Sequence, residues 1–253
     1  MDWTHMRILV SGDSHADYYY LGHLDAVATE HNCDAIFILG DFGYWPKSRV
    51  GKLFLDKVAE MQHPVFWLAG NHEDWDAIEE IVTPINSFHE VSPNCFYAPT
   101  GLRWEWGGVK FLSVGGAFSI DRRRRVKFVS WFPNEVITED DVEACASPDG
   151  DTADIVFSHD APHQSDMQMH FMMARGEPYE DYTETAINRT RLGGIVADEK
   201  PSRLYHGHWH LAYTERVDLD GDELVITGLN CNGLGDSYTI IDTEDFNGDE
   251  NLS

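Results

Sequence analysis

Seven side chains that can ligate a cation fall at five points along this chain. Asp13 and His15 stand two residues apart in Gly12-Asp13-Ser14-His15, so on extended backbone they point the same way and can reach one ion. Asp41 follows Gly40, and Asn71 follows Gly70 in Gly70-Asn71-His72-Glu73. Glycine lets the backbone turn sharply and bring the next side chain close to an ion. His159 stands alone after Ser158, and His208 and His210 form a second pair two residues apart in His206-Gly207-His208-Trp209-His210. Carboxylates, imidazoles and an amide are ligands for divalent cations. Seven groups are too many for one tetrahedral zinc but suit two cations that share a carboxylate.

Each point closes a short apolar run: Arg7 to Val10, Ala35 to Leu39, Val65 to Ala69, Ile155 to Phe157 and Arg203 to Tyr205. Such runs read as buried strands, and in an open, mainly parallel sheet their ends converge on one edge. The first part of the chain alternates strands at 7–12, 35–40 and 64–69 with helices at about 17–31, 48–61 and 74–82, a rhythm of parallel strands and crossover helices. Antiparallel pairing enters with a hairpin of Gly101 to Trp106 and Val109 to Val114 around Gly107-Gly108. Thr138 and Asp141 form a capping-box pattern that opens a helix ending near Cys145. A helix at about 184–198 and strands at Tyr213 to Leu219, Glu223 to Thr227 and Tyr238 to Ile241 complete the expectation. The fold expected is α/β: two mixed sheets flanked by helices, one domain over residues 1–242, then a flexible acidic tail over 243–253. Pro162 to Glu180, with four methionines, reads as an irregular insertion or a covering helix, its Met residues serving packing.

In this order, Asp-x-His, Gly-Asp, Gly-Asn-His-Glu, a lone His and Gly-His-x-His resemble the signature of the calcineurin-like metallophosphoesterases. The match spans positions 13 to 210. The resemblance implies a metallophosphoesterase-type sandwich in which Asp13, His15, Asp41 and His210 hold one divalent metal ion and Asp41, Asn71, His159 and His208 the other, with Asp41 as the bridge. It implies hydrolysis of a phosphate mono- or diester by a hydroxide shared between the cations, without fixing the substrate. It also gives His72 a catalytic role, donating a proton to the leaving oxygen or stabilising the transferring phosphoryl group. Mixed Asp, Asn and His ligation does not select one ion; Mn²⁺ is expected first, with Fe or Zn²⁺ also suited.

Gly115-Gly116-Ala117-Phe118-Ser119-Ile120-Asp121 leads into Arg122-Arg123-Arg124-Arg125, four of only 18 basic residues. A solvated turn and a phosphate clamp are both open readings, and in the second Arg122 and Arg125 are the phosphate-binding pair. Bacterial and phage members of the family look similar here, including a Trp-x-Pro-like motif matched by Trp131-Phe132-Pro133. The Ser/Thr protein phosphatases differ: their Gly-Asp motif continues through Val-Asp-Arg-Gly, whereas this chain reads Gly40-Asp41-Phe42-Gly43-Tyr44-Trp45-Pro46 and lacks the arginine. Phe42, Tyr44 and Trp45 either pack the loop or stack on a base or aryl group. Of the 13 histidines, His5, His23, His31, His63, His89 and His170 lie outside every motif; His163 and His206 stand close enough to line or support the site.

There is no G-x-S-x-G elbow, Walker A segment, G-x-G-x-x-G or H-E-x-x-H, which removes the commoner hydrolase, nucleotide-binding and zincin chemistries. A formal charge of −26 disfavours duplex nucleic acid, leaving small-molecule or nucleotide substrates first. A nuclease for single-stranded nucleic acid and a noncatalytic metal-binding scaffold are the alternatives. Cys33, Cys95, Cys145 and Cys231 show no CxxC spacing, and with no signal peptide or membrane-spanning run a soluble cytoplasmic protein is expected; oligomeric state is left open.

Overall fold

The computed structural model describes residues 4–81, 86–147, 150–168, 171–172 and 179–246. Its strands form because the runs are apolar on both faces. In β1 (Arg7–Ser11), Ile8 and Val10 face one way and Leu9 the other; in β2 (Ala35–Ile38), Ala35 and Phe37 oppose Ile36 and Ile38. β3 (Val65–Trp67) repeats the pattern, with Phe66 on one face and Val65 and Trp67 on the other. This two-residue alternation, buried on both sides, is what a sheet between two layers requires.

The first sheet runs in the order β12–β1–β2–β3–β5–β4, with β4 (His89–Ser92), β5 (Cys95–Tyr97) and β12 (Tyr238–Asp242). The second runs β10–β11–β9–β8–β7–β6, built from β6 (Arg103–Trp106), β7 (Val109–Val114), β8 (Ile155–Ser158), β9 (Arg203–His206), β10 (Tyr213–Leu219) and β11 (Asp222–Gly228). In each sheet the four central strands are parallel and both edges antiparallel. Helices α1 (Tyr18–Glu30), α2 (Arg49–Ala59) and α3 (Trp75–Glu79) cover the outer face of the first sheet, and α4 (Glu139–Cys145) and α5 (Tyr179–Glu199) that of the second. Side chains start the first four: Asp17, Ser48 and Asp74 cap α1 to α3, and Thr138 with Asp141 forms the expected capping box on α4.

Between the sheets lies an aromatic seam. Phe37 packs 4.7 Å from Phe157 and 5.7 Å, stacked, from Trp104, so the two sheets meet through rings. Truncating Phe37, which is fully buried, would cost about 3–5 kcal/mol. With both faces of both sheets covered, the strand ends at the rim are left to hold polar groups.

The two-sheet architecture and the hairpin of β6 and β7 match the sequence expectation. α3 stops at Glu79, short of the expected 82, and α5 begins five residues earlier than expected. The β4–β5 pair was not foreseen, because His89-Glu90 breaks the apolar pattern and β5 has only three residues. Thr243–Asp245 form a 3₁₀ turn in which buried Thr243 accepts the Met6 amide at 2.9 Å; residues 247–253 lie outside those described. Within the methionine-rich segment the described residues 167–168 and 171–172 are helical, and Met172 packs against Ala161 and Trp209. No helix among the described residues is long and apolar enough to cross a membrane.

Candidate metal centre

The structure brings all seven ligand candidates to one rim. Asp13 and His15 follow β1, Asp41 follows β2, Asn71 follows β3, His159 follows β8, and His208 and His210 follow β9. Four of them, His15, Asp41, His208 and His210, have left-handed backbone, with φ of 48°, 45°, 63° and 49°. Each such residue costs of order 1–3 kcal/mol, and the kink turns the side chain back over the sheet edge. His210 Nε2 lies 2.9 Å from Asp13 Oδ2 and 3.2 Å from His15 Nε2. His159 Nε2 lies 3.2 Å from Asp41 Oδ1 and 3.0 Å from Asn71 Oδ1, and its ring is 5.0 Å from that of His208. The His159 Nδ1–H donates to the Leu39 carbonyl at 2.7 Å, which turns Nε2 toward the site. Two groups emerge whose ligand atoms all lie within 4.8 Å of one another: Asp13, His15 and His210, and Asp13, Asp41 and His159.

Close backbone approach makes this packing possible. A Cβ at Gly70 would stand 2.3 Å from the Asp41 nitrogen and 2.7 Å from His159 Nε2. At Gly40, where φ is +88°, it would stand 2.2 Å from His159 Nδ1. Two indoles then pin the loop after β3: Trp75 Nε1 donates to the Gly70 carbonyl at 3.0 Å and Trp45 Nε1 to the His72 carbonyl at 2.9 Å.

A family model for calcineurin-like phosphoesterases matches residues 6–212, which includes all seven positions. The chain belongs to that family. It is therefore a metal-dependent phosphoric ester hydrolase. No curated protein matches its sequence. Among solved structures it is similar to the TT1561 protein of Thermus thermophilus, at 16% identity and TM-score 0.53, with 88% of this chain and 89% of that chain covered. It also resembles the phosphopantetheinyl hydrolase of Mycobacterium tuberculosis, at 14% identity and TM-score 0.49, covering 93% and 96%. An archaeal phosphodiesterase aligns at 13% identity and TM-score 0.40, covering 94% and 99%. The first of these likenesses concerns the fold alone.

Membership of the calcineurin-like phosphoesterases implies divalent metal ions, and the donor set fits them: buried carboxylates and imidazoles converge with too few fixed cations to balance them. Burial would raise the carboxyls of Asp13 and Asp41. Instead, the His210 hydrogen bond with His159 and His15 holds Asp13 below its usual value, and His159, His72 and His15 hold Asp41 well below it. Burial would lower His159, yet Asp41 and Asp13 push it up to about 10. A site that gathers protons onto its imidazoles in this way has excess negative charge for a cation to take up. His208 behaves oppositely. It is largely covered, and desolvation, with His159 beside it, takes it down to about 4, leaving a neutral imidazole.

A cavity of about 390 Å³ opens beside this centre, lined by His15, Gly43, Trp45, His72, Asp121 and Arg125. His72 Nε2 reaches to 4.0 Å from Asp41 Oδ2 and 3.9 Å from Asp121 Oδ2, and burial lowers its pKa. Of the two arginines expected at the site, Arg125 lines the cavity, whereas the Arg122 guanidinium lies 4.5 Å over the Phe118 ring and is not among the lining groups. Phe42 and Tyr44 pack into the core against Trp67, leaving Trp45 as the aromatic on the cavity wall. His163 is exposed and packs on Gly193 of α5; His206 ends β9 with its Nε2 2.6 Å from the Tyr213 hydroxyl. Neither lines the cavity.

Several residues at the centre carried no role in the sequence reading. Glu73, buried, accepts the Gly43 and Gly70 amides at 3.1 and 2.8 Å and ties the two glycine loops together. Asp160 takes Trp209 Nε1 at 2.8 Å and Asn188 Nδ2 at 2.7 Å, fixing the residue between His208 and His210. Asp121 stands within reach of His72. Adjacency to His72 and His159 was the available signal for Glu73 and Asp160; Asn188, on α5, offered none.

Proposed function

We propose that the protein hydrolyses a phosphate mono- or diester of a small molecule or nucleotide at a centre of two divalent cations, Mn²⁺ first, with Fe or Zn²⁺ also suited. Asp13, His15, Asp41 and His210 hold one ion, and Asp41, Asn71, His159 and His208 the other. The observation that carries the reading is the convergence of these seven groups, with the two oxygens of Asp41 facing different neighbours: Oδ1 toward His159 and Oδ2 toward His15 at 3.9 Å. Asp13 also belongs to both close groups and helps hold the two halves together. When bound, two divalent ions activate water and neutralise developing phosphoryl charge.

The chain's own residues supply the rest. The His72 amide donates to Asp41 Oδ1 at 2.8 Å, which fixes the loop and leaves its imidazole at the cavity wall, where it protonates the leaving oxygen. Arg125, its side chain 8% exposed, presents a held guanidinium to the substrate oxygens. Trp45 walls the space for the organic group. Four free cysteines, Cys33, Cys95 and Cys145 of them buried, support a reducing, cytoplasmic setting. A second reading, cleavage of single-stranded nucleic acid, is favoured by the basic turn from Arg122 to Lys127 beside the cavity.

The test is hydrolysis of bis(p-nitrophenyl) phosphate and p-nitrophenyl phosphate with added Mn²⁺, with bound metal counted in parallel. Wild type turns over at least one ester only with metal. His72→Ala keeps two ions and loses on the order of 10²–10⁴ in kcat. Full metal occupancy with neither ester cleaved would overturn the reading.

A further inference from the structure

The segment from Ser119 to Glu135 contributes one cavity arginine to the function above, and two of its residues, Ser119 and Arg125, also bond to Asn71. An asparagine amide can ligate a cation only through its oxygen; the NH₂ end has no lone pair to offer, and a half-turn that swaps the two costs almost nothing sterically. Something must decide which end faces the ion.

Ser119 is fully buried and makes that choice. Its Oγ accepts the Asn71 Nδ2–H at 2.9 Å and the Arg125 Nη1–H at 2.6 Å, which occupies both of its acceptor positions. Glu135, buried to 1% exposure, stands directly behind Ser119, which helps to hold its carboxyl down against the effect of burial. Glu135 is itself fixed: its Oε1 takes the Ser119 amide at 3.0 Å and Trp131 Nε1 at 2.9 Å. With Arg125 a permanent donor to it and Glu135 holding its backbone, Ser119 meets Asn71 as an acceptor, and the amide turns its NH₂ to Ser119 and its Oδ1 to His159. Arg125 closes the ring by donating from Nη2 to the Asn71 carbonyl at 3.0 Å and from Nη1 to Asp121 Oδ1 at 3.4 Å.

We propose that Ser119, held from behind by Glu135, is a positioning residue that delivers the Asn71 side-chain oxygen, Oδ1, to one of the two cation positions and keeps Arg125 at the cavity. The inference rests on Asn71 being a ligand, as in the function proposed above. It gives a reason for the spacing Ser119, Asp121, Arg125, Trp131 and Glu135, which metal ligation leaves unexplained.

The test is a Mn²⁺ titration by calorimetry at pH 8 on wild type, Ser119→Ala, Glu135→Gln and the double variant, alongside KM and kcat for bis(p-nitrophenyl) phosphate and the Tm of each metal-free protein. Ser119→Ala is expected to bind one ion as wild type does and the second on the order of tenfold or more weakly, with a raised KM as Arg125 loosens. Glu135→Gln weakens the same ion to a smaller degree, and adds nothing to the metal affinity of Ser119→Ala, because it acts through Ser119. A general structural role would instead weaken both ions with Tm and add in the double variant. Ser119→Cys, close in size but a weak acceptor, repeats the selective loss should the alanine variant not fold. Wild-type affinity for both ions in Ser119→Ala or Ser119→Cys, or a Glu135→Gln effect that persists undiminished without Ser119, would overturn the proposal while leaving the two-ion centre standing. Failure of wild type to bind two ions would overturn the centre, and the proposal with it.

Discussion

Replacing Gly70 with alanine tests whether the centre depends on backbone contact. The new Cβ would stand 2.3 Å from the Asp41 nitrogen, 2.2 Å from Asp41 Oδ1 and 2.7 Å from His159 Nε2. Ordinary contact begins near 3.4 Å, so the Asp41 backbone must retreat by about 1 Å. Gly70 does not have left-handed backbone, so alanine meets no conformational penalty and the effect is purely steric. Overpacking of this kind costs about 1–3 kcal/mol of stability, which a well-packed two-sheet core survives. Catalysis does not, since a displacement of about 1 Å in a positioned group can cost on the order of a hundredfold. The expected outcome is a folded protein, with Tm lowered by several degrees, whose Mn²⁺-dependent hydrolysis of bis(p-nitrophenyl) phosphate drops about a hundredfold. Wild-type kcat and wild-type Mn²⁺ affinity in this variant would refute the reasoning, because Asp41 would then have no need of its position.

Metal removal gives a second check: Mn²⁺ at a hundred times its Kd should stabilise the fold by about 2.7 kcal/mol per ion over the chelator-treated protein, a gain in Tm visible by calorimetry, and an unchanged Tm would count against bound ions joining the sheets. Glu135 predicts a pH dependence. Burial, with Oε2 lacking any partner among the described residues, pushes its carboxyl from 4.5 up to about 7 despite the help of Ser119 and Arg125. Its folded pKa is raised, so its contribution is fully present below about pH 4.5 and is lost as pH rises through 7, by up to about 3 kcal/mol. Urea unfolding of the metal-free protein at pH 5 and 8 should show that loss in wild type and a smaller one in Glu135→Gln. Finally, reversing Arg124 and Lys127 to glutamate should lower kcat/KM for an anionic diester at low ionic strength and leave it near wild type at about 0.5 M salt, where screening removes the steering field. Equal kcat/KM at low salt would show that the basic turn does not guide substrate.

The ligand candidates were legible because each closes an apolar run, and chain order alone brings the ends of parallel strands to one rim. Asp13 and His210 are 197 residues apart yet meet at 2.9 Å, and the motif order anticipated the meeting. What was hidden depended on contacts that no local pattern encodes. Ser119 reads as an ordinary polar residue until Asn71, 48 positions earlier, is seen to donate to it. Arg122 and Arg125 look equivalent in a run of four arginines; a 3₁₀ turn over Arg122–Arg124 sends one onto Phe118 and the other to the cavity. His206 shares its motif with His208 and His210, but it is the last residue of β9, and its side chain is taken by Tyr213 across the sheet. The β4–β5 hairpin escaped because its strands, four and three residues long, were too short to show a period.

The two sheets contribute unequally. Both carboxylates, Asp13 and Asp41, and the amide of Asn71 come from the ends of strands in the first sheet, with only one imidazole, His15; the second sheet gives three imidazoles, His159, His208 and His210. Negative charge is thus concentrated on one wall and neutral or protonated nitrogen on the other, so the facing groups attract across the seam instead of repelling. That arrangement also lets two buried carboxylates lie side by side: His210 and His159 reach over from the opposite sheet to pair with them. It also explains the strained backbone at His208 and His210, since imidazoles leaving the end of β9 must turn back toward the first sheet to meet their partners. The aromatic seam holds the sheets at the spacing that these contacts need, and this is how the core, built of residues with no chemistry of their own, sets the geometry of the site.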